Sequence, residues 1–132
     1  MELEGASALI TGGASGIGEA SARRLSILGA RPVIADLNEE KGKAVAEELK
    51  GTFVKTDVSD TDQAQAAVDA ALELGPLRAL VNAAGLGNAN RTVSREGKPF
   101  PLDQFEFVIR INLIATFNSL RLPAAAMSQQ DP

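Results

Sequence analysis

The chain has 132 residues, long enough for one domain with a buried core, and its formal net charge of −4 comes with no Cys, no His and no Tyr. Without Cys or His it has neither a disulfide framework nor the usual zinc ligands, so we expect no metal site. Because no face is strongly basic, we expect no nucleic-acid binding. No apolar run approaches the roughly 18 residues of a membrane span, so we expect no membrane insertion. Since no signal peptide is evident, we expect a cytoplasmic location.

Strand-like and helix-like segments alternate along the first 82 residues. The expected strands are short apolar runs at residues 6–11, 32–36, 52–57 and 78–82. The helical patterns between them cover residues 17–28, 38–50 and 61–74. No strand alternates cleanly between apolar and polar side chains, which is typical of a sheet covered on both faces. Right-handed strand–helix–strand units predict an α/β fold, a doubly wound parallel sheet of Rossmann type with strand order 3-2-1-4.

Capping residues and apolar faces define the expected helices. Gly29 is expected to end the first helix, while Asn38 and Ser59 are expected to cap the second and third. The side chains expected on the inward face of the first helix are Ile17, Ala20, Ser21, Leu25 and Leu28. Those expected on the inward face of the third helix are Ala64, Val68, Ala71 and Leu72.

The last part of the chain combines a polar loop with one long apolar helix. Residues 85–102 are rich in Gly, Asn, Arg and Pro, which predicts a loop, and the helix is expected over residues 102–127. Because apolar side chains cover nearly its whole circumference, this helix is expected to be buried on several sides or to lie in an interface. Pro123 is expected to kink or end it. No fifth strand follows, so we expect the sheet to stop at strand four.

A glycine-rich turn joins the first strand to the first helix. Glycines occupy positions 12, 13, 16 and 18, directly after Thr11. Glycine allows positive φ and lets a ligand approach where a Cβ would clash, and a helix N-terminus offers free N–H groups to a pyrophosphate. The turn therefore predicts a nucleotide-phosphate site. Its candidate residues are Gly12, Ser15, Gly16, Ile17 and Gly18.

An acidic residue at the end of the second strand adds to this site. Asp36 follows Gly18 at a distance where a carboxylate can accept hydrogen bonds from the ribose hydroxyls of a dinucleotide. It would repel a 2′-phosphate, and the next residue, Leu37, offers no compensating cation. The pair Asp36 and Leu37 therefore favours NAD over NADP. The alternative is that Asp36 is a turn residue that caps the following helix.

Four motifs together resemble the short-chain dehydrogenase/reductase family, and they span nearly the whole chain. The turn from Thr11 to Gly18 has the family's glycine spacing, with three residues between the first and second conserved glycines and one before the last. The other motifs are Asp57 and Val58 after strand three, Asn82, Ala83, Ala84 and Gly85 after strand four, and Asn112 in the long helix. The resemblance implies an NAD-dependent oxidoreductase.

Each motif also has a local physical interpretation. The Asp57 carboxylate can accept from an adenine amino group and the Val58 amide can pair with a ring nitrogen; alternatively, Asp57 only leads into the next helix. The small residues after Asn82 let the backbone lie close to the cofactor ribose, unless Gly85 is a simple turn. By resemblance, Asn112 is the one catalytic residue present, holding a water in a proton relay; alternatively, it is an Asn tolerated in a buried helix through one hydrogen bond.

The family's catalytic Ser, Tyr and Lys have no counterpart here. The chain contains no Tyr, and its last Lys is Lys98 in the polar loop. The resemblance therefore implies that residues 1–132 form one NAD-binding domain, about the first half of such an enzyme, either as a fragment or as a natural truncation. This chain alone is expected to be inactive. Further alternatives are a non-catalytic dinucleotide-binding module and a fragment without stable function.

The substrate is indicated by the polar loop. Residues 91–101 and the segment from Phe105 to Asn118 resemble the type-2 3-hydroxyacyl-CoA dehydrogenases within the family, which implies a secondary alcohol or ketone substrate such as a 3-hydroxyacyl-CoA. Arg91, Arg95 and Lys98 would then meet the phosphates of the CoA; alternatively, the loop is merely solvated. A 3-oxoacyl-carrier-protein is the alternative substrate. The resemblance also implies a homo-oligomer formed through the helix at 102–127.

Overall fold

Four parallel strands form a single sheet in a computed structural model that describes residues 2–130. The strands are β1 (Ser7–Thr11), β2 (Arg31–Asp36), β3 (Thr52–Lys55) and β4 (Leu77–Asn82). The helices between them are α1 (Gly16–Ile27), α2 (Glu39–Glu48) and α3 (Thr61–Leu74). After the loop 83–101 come α4 (Leu102–Ile109), a π-helical segment (Arg110–Ala115) and α5 (Thr116–Ser128).

The strand order is β3-β2-β1-β4, as predicted from the alternation of elements. Leu9 of β1 lies opposite Val33 of β2 on one side and Leu80 of β4 on the other. Alternate side chains of β1 enter two apolar clusters, one on each face of the sheet: Ile10 packs with residues of α1 and α2, and Leu9 with residues of α3 and α5. Both faces are therefore covered, which explains the continuous apolar strands.

The caps of α2 and α3 are set by two different side chains, and one differs from the prediction. The Asn38 side chain accepts from the Lys41 N–H at 3.0 Å, as expected. At α3 the cap is Asp60, whose Oδ1 accepts from the N–H groups of Asp62 at 2.9 Å and Gln63 at 3.0 Å. The predicted cap Ser59 was wrong, because its N–H and hydroxyl both donate to the Asp57 carboxylate.

The inward face of α1 also differs from the prediction. Its buried residues are Gly18 and Ala22, whereas Ile17 is 81% exposed and Leu28 is 44% exposed. Small residues face the sheet because they let the helix axis come close to it, while the larger apolar residues at the two ends point elsewhere. In α3 the same effect buries Ala67, and Leu72 stays exposed.

The long C-terminal helix forms over the predicted range, and Pro123 does not end it. Pro123 is buried inside α5, and the helix continues beyond it to Ser128. The irregularity is the π-helical segment that contains Asn112. The first predicted alternative, burial on several sides, is wrong for the described part of the chain. Many large apolar side chains of α4, the π-helical segment and α5 are exposed: Phe105, Phe107, Leu113, Ile114, Phe117 and Leu120.

Within residues 2–130, no helix is long and apolar enough to cross a membrane.

Candidate functional site

A cleft of about 610 Å³ lies where the four strands end. Its volume falls within the roughly 300–1,000 Å³ that is typical of small-molecule sites, and the carboxyl ends of parallel strands are where such sites occur. Twelve predicted site residues line it: Gly12, Ser15, Gly16, Ile17, Gly18, Asp36, Leu37, Asp57, Val58, Ala83, Ala84 and Gly85. The structure therefore brings together, at one cleft, residues separated by more than 70 positions in the sequence.

Close backbone packing explains two of the glycines. Gly12 has φ of +66°, and a Cβ there would lie 2.6 Å from the Ala84 nitrogen. A Cβ on Gly18 would overlap the carbonyl oxygen of Gly12. The Gly12 N–H in turn donates to the Ala35 carbonyl at 2.8 Å. These glycines allow α1, the turn and the loop after β4 to meet at the end of β1.

Gly16 has a different function, because it borders open space rather than backbone. Its φ is +55°, it lines the cleft, and no atom lies within 4 Å of the position that a Cβ would take. Ser15 precedes α1 as its N-cap, is exposed, and makes no capping bond with its side chain. The start of α1 thus faces a cradle that a Cβ would fill, and its backbone N–H groups suit a pyrophosphate.

Asp36 has both carboxylate oxygens engaged with backbone. Oδ2 accepts from the Ala14 N–H at 3.0 Å, and Oδ1 accepts from the Asn38 N–H at 2.8 Å. Asp36 therefore ties the glycine turn to the start of α2, as its predicted turn alternative requires, and it also lines the cleft. Each oxygen retains a second lone pair for a ligand hydroxyl.

The charged groups of the cleft are all acidic. Among the side chains that line it in the described part of the chain, Asp36 and Asp57 are the ionisable ones, and none is a Lys or an Arg. Leu37, 62% exposed, forms the neighbouring wall. An anion in this cleft must therefore be held by backbone N–H groups and hydroxyls rather than by cations, and a second phosphate beside Asp36 would be repelled.

Asp57 and Val58 are held by neighbouring side chains. Asp57 Oδ1 accepts from the Ser59 N–H at 2.9 Å and the Ser59 hydroxyl at 2.7 Å, and the Asp57 N–H donates to Gln63 Oε1 at 2.9 Å. The Val58 carbonyl accepts from Asn118 Nδ2 at 3.4 Å. Asp57 thus forms the turn into α3, as its alternative proposed, and also lines the cleft.

Asn82 lies outside the lining of the cleft and binds to β1 instead. The Thr11 hydroxyl donates to Asn82 Oδ1 at 3.3 Å and accepts from the Ala84 N–H at 3.3 Å. The Ala83 N–H donates to the Thr11 carbonyl at 3.1 Å. These bonds place the backbone of Ala83 and Ala84 at the cleft, while the predicted cofactor contact of Asn82 itself stays a prediction.

Asn112 also lies outside the lining of the cleft, and it binds a residue that belongs to the lining. Its Oδ1 accepts from the Leu86 N–H at 2.9 Å, and its Nδ2 donates to the Leu86 carbonyl at 2.6 Å. Leu86 itself lines the cleft. Asn112 therefore makes two bonds rather than the single bond of its predicted alternative, and its relay role stays a prediction.

Six residues that line the cleft were not predicted: Ala35, Thr56, Ser59, Leu86, Phe107 and Ile111. Thr56 and Ser59 flank the Asp57–Val58 pair, so their positions could have been inferred from it. Phe107 and Ile111 are four residues apart and share a helix face. This four-residue spacing was the sequence signal that could have identified them, although the same spacing is also typical of a helix face that packs in a core.

The polar loop forms a second cavity of about 420 Å³. Arg91, Arg95 and Lys98 line it together with Ser94, and no carboxylate is among its lining residues within 2–130. A hydrogen bond with the Ser94 hydroxyl lowers the pKa of Glu96 nearby. The predicted basic residues therefore converge on one concave surface.

Comparison with known proteins agrees with this geometry. A 3-hydroxyacyl-CoA dehydrogenase type-2 of Drosophila melanogaster is 40% identical, covering 98% of this chain and 52% of its own length, and that of Homo sapiens is 38% identical, covering 98% and 51%. A mitochondrial borneol dehydrogenase of Lavandula x intermedia is 37% identical over 95% of this chain and 48% of its own.

The crystal structure of a 3-hydroxyacyl-CoA dehydrogenase type-2 from Mycobacterium avium superposes with a TM-score of 0.93 at 47% identity, covering 98% of this chain and 52% of that one. The chain therefore spans about half the length of the relatives it matches. The family model for short chain dehydrogenase matches residues 6–132. The chain belongs to the short-chain dehydrogenase family.

Proposed function

We propose that this chain binds NAD in the 610 Å³ cleft and is the cofactor-binding half of an oxidoreductase. The observation that carries the proposal is the cradle at Gly16, an open position at the start of a helix, with Asp36 at the end of the adjacent strand. Backbone N–H groups and a ribose-binding carboxylate are the two elements that a dinucleotide site needs.

The residues divide the cleft into regions for the parts of the cofactor. Ser15 to Gly18 would hold the pyrophosphate, Asp36 the adenosine ribose, and Asp57 with Val58 the adenine. The backbone from Ala83 to Gly85 would lie beside the other ribose and the nicotinamide. When bound, NAD supplies the hydride-transfer chemistry, and the protein orients the ring and excludes water.

NAD rather than NADP is supported by the charges of the cleft. The Asp36 carboxylate and the absence of Lys or Arg from the described lining disfavour a 2′-phosphate. Leu37 contributes an apolar surface where a cation would be required.

Catalysis requires more than these residues supply. The 132 residues include no Tyr, which by resemblance is the proton donor, so the chain by itself is proposed to bind NAD without turnover. Asn112, fixed by Leu86, is the candidate for the proton relay once the other groups are present. A non-catalytic dinucleotide-binding module would bind NAD in the same way, so binding alone does not distinguish these two functions.

A 3-hydroxyacyl-CoA is the proposed substrate. Relatives named 3-hydroxyacyl-CoA dehydrogenase type-2 cover 98% of the chain, and Arg91, Arg95 and Lys98 converge on the loop cavity, where they would contact CoA phosphates. A secondary alcohol without CoA, as the name borneol dehydrogenase indicates for another relative, and a 3-oxoacyl-carrier-protein are the alternatives.

The exposed apolar side chains of α4, the π-helical segment and α5 are proposed to bind a second copy of the chain. Leu113 is 63% exposed and Phe117 is 64% exposed, and apolar patches of this kind mark interfaces.

Titration of the chain with NADH, followed by nicotinamide fluorescence, tests the binding proposal. The expected result is saturable binding of NADH that is stronger than binding of NADPH. No turnover is expected when NAD and a 3-hydroxyacyl-CoA are added. Absence of NADH binding would refute the proposed site, and turnover by the chain alone would refute the claim that it lacks catalytic groups.

A further inference from the structure

Asn118 is a buried polar residue of α5 that contacts the adenine end of the cleft. Asn118 is only 8% exposed, and its Nδ2 donates to the Val58 carbonyl at 3.4 Å. The Thr61 hydroxyl lies 3.5 Å from its Oδ1. Asn118 thus connects α5 with the segment that enters α3.

Arg121, one helical turn later, determines how this amide is oriented. Its Nε and Nη2 both donate to Asn118 Oδ1, at 3.1 Å and 2.8 Å. A guanidinium only donates hydrogen bonds, so the side of the amide that faces Arg121 must be its oxygen. The NH₂ group is therefore directed at the Val58 carbonyl, which only accepts.

The segment held in this way is part of the cleft. Val58 lines it and is 8% exposed, and Asp57 beside it is fixed through Ser59 and Gln63. These contacts, with Ser59 before α3 and with Gln63 in α3, hold Asp57 but do not involve the Val58 carbonyl. Asn118 is the side chain that restrains Val58 from α5.

We infer that Asn118, oriented by Arg121, is a positioning residue for adenine recognition: it keeps the Val58 backbone where an adenine ring pairs with it. This inference rests on the proposed dinucleotide site, because it assigns the Asp57–Val58 end of the cleft to the base. Loss of the restraint should weaken recognition of the base in particular, whereas a merely structural role would weaken every ligand of the cleft alike.

The substitution Asn118→Asp tests this inference at constant size. A carboxylate still accepts from Arg121 but cannot donate to the Val58 carbonyl. The readout is the ratio of two dissociation constants, measured by nicotinamide fluorescence: that of reduced nicotinamide hypoxanthine dinucleotide and that of NADH. In hypoxanthine a carbonyl replaces the adenine amino group and the neighbouring ring nitrogen carries a proton, so that nitrogen cannot accept from the Val58 N–H as it does in adenine. We expect the unmodified chain to prefer NADH. In Asn118→Asp the dissociation constant of NADH should rise about three- to tenfold, as for one lost hydrogen bond, and the ratio should fall toward one.

Two further variants complete the experiment. Asn88→Asp makes the same chemical change at an exposed residue outside the cleft lining and should leave both constants unchanged. Arg121→Met removes the two guanidinium donors to Asn118 from an exposed position, and it should also lower the ratio of dissociation constants. If circular dichroism shows that Asn118→Asp does not fold, the ratio measured in Arg121→Met tests the inference instead.

The outcomes separate this inference from the proposed function. If both ligands weaken equally and the ratio is unchanged, Asn118 is only structural and the inference is overturned. If the unmodified chain binds both ligands equally well, the inference fails while the dinucleotide site stands. If it binds neither ligand, the proposed function itself is refuted.

Discussion

Gly18 packs directly against the carbonyl oxygen of Gly12, so the first turn of α1 and the start of the glycine turn share a space that no side chain can enter. The first prediction concerns this contact. In Gly18→Ala the added Cβ overlaps backbone that is itself fixed by the Gly12–Ala35 hydrogen bond, so the turn must move. We expect a loss of about 1–3 kcal/mol in the free energy of unfolding, as for overpacking, together with loss of NADH binding.

Urea unfolding followed by circular dichroism, with NADH titration, measures both effects. Gly87→Ala is the matched control, because no atom lies within 4 Å of its Cβ position and its φ is not in the left-handed region. Equal stability and equal NADH affinity in the two variants would contradict the assignment of the glycine turn.

The second prediction concerns cofactor choice at Leu37. Because this side chain is 62% exposed at the wall of the cleft, Leu37→Arg should leave the fold intact and place a cation near a 2′-phosphate. We expect NADPH affinity to rise by up to about fivefold, the range of an exposed ion pair, with little change for NADH. Leu72→Arg adds the same charge on α3 and serves as the control. A similar gain in both variants would mean that net charge alone is responsible.

The third prediction concerns Asn112, which pairs with both backbone groups of Leu86. Asn112→Ala leaves the Leu86 N–H and carbonyl without these partners, so we expect a loss of about 1–3 kcal/mol in the free energy of unfolding. NADH affinity should also fall, since Leu86 lines the cleft. Asn88→Ala is the control, and both quantities should be unchanged in it. Unaltered NADH affinity in Asn112→Ala would show that Leu86 does not depend on this pairing to form the cleft.

The strand order could be predicted from the sequence because short apolar runs, capping residues and right-handed crossovers leave few alternatives. The inward face of α1 could not. Apolar periodicity does not distinguish a side chain that faces the core from one that faces a ligand cleft, and Ile17, expected to be inside, lines the cleft instead. The backbone contact at Gly18 decides which face of α1 approaches the sheet. A prediction from side-chain size alone would place the large apolar residues on that face, whereas the buried residues are Gly18 and Ala22.

The candidate site could be predicted where motifs lie at strand ends, as at Asp36 and Asp57. It could not be predicted where a residue acts from a distant element. Ser59 and Asp60 are both good helix caps, and the outcome depends on the Asp57 carboxylate, which takes the N–H and hydroxyl of Ser59. Asn118 gives no local signal, because its partner Val58 is distant in the sequence.

The fourth prediction concerns acid stability. Hydrogen bonding to Arg23, with Nη2 at 2.8 Å from Glu48 Oε2, lowers the pKa of the Glu48 carboxyl. Because the folded pKa is below the unfolded one, the pair stabilises the fold above the unfolded pKa, and this contribution is lost as pH falls through the folded pKa. Glu48→Gln should therefore lower the Tm at neutral pH, and the difference from the unmodified chain should vanish in acid. Glu47→Gln, which changes the same charge beside it, is the control; an identical pH profile for the two variants would contradict the pairing.

The fifth prediction concerns self-association through the exposed apolar face of α5. Phe117 is 64% exposed there, close to Leu113 and Ile114 in the helix. Burying a Phe side chain contributes about 1.5–3 kcal/mol, so Phe117→Glu should weaken association at least tenfold in sedimentation velocity. Ile27→Glu introduces the same charge at a residue of α1 that is 75% exposed, and it should associate like the unmodified chain. A chain that stays monomeric without substitution, or two variants that associate equally, would show that this face does not bind a second copy.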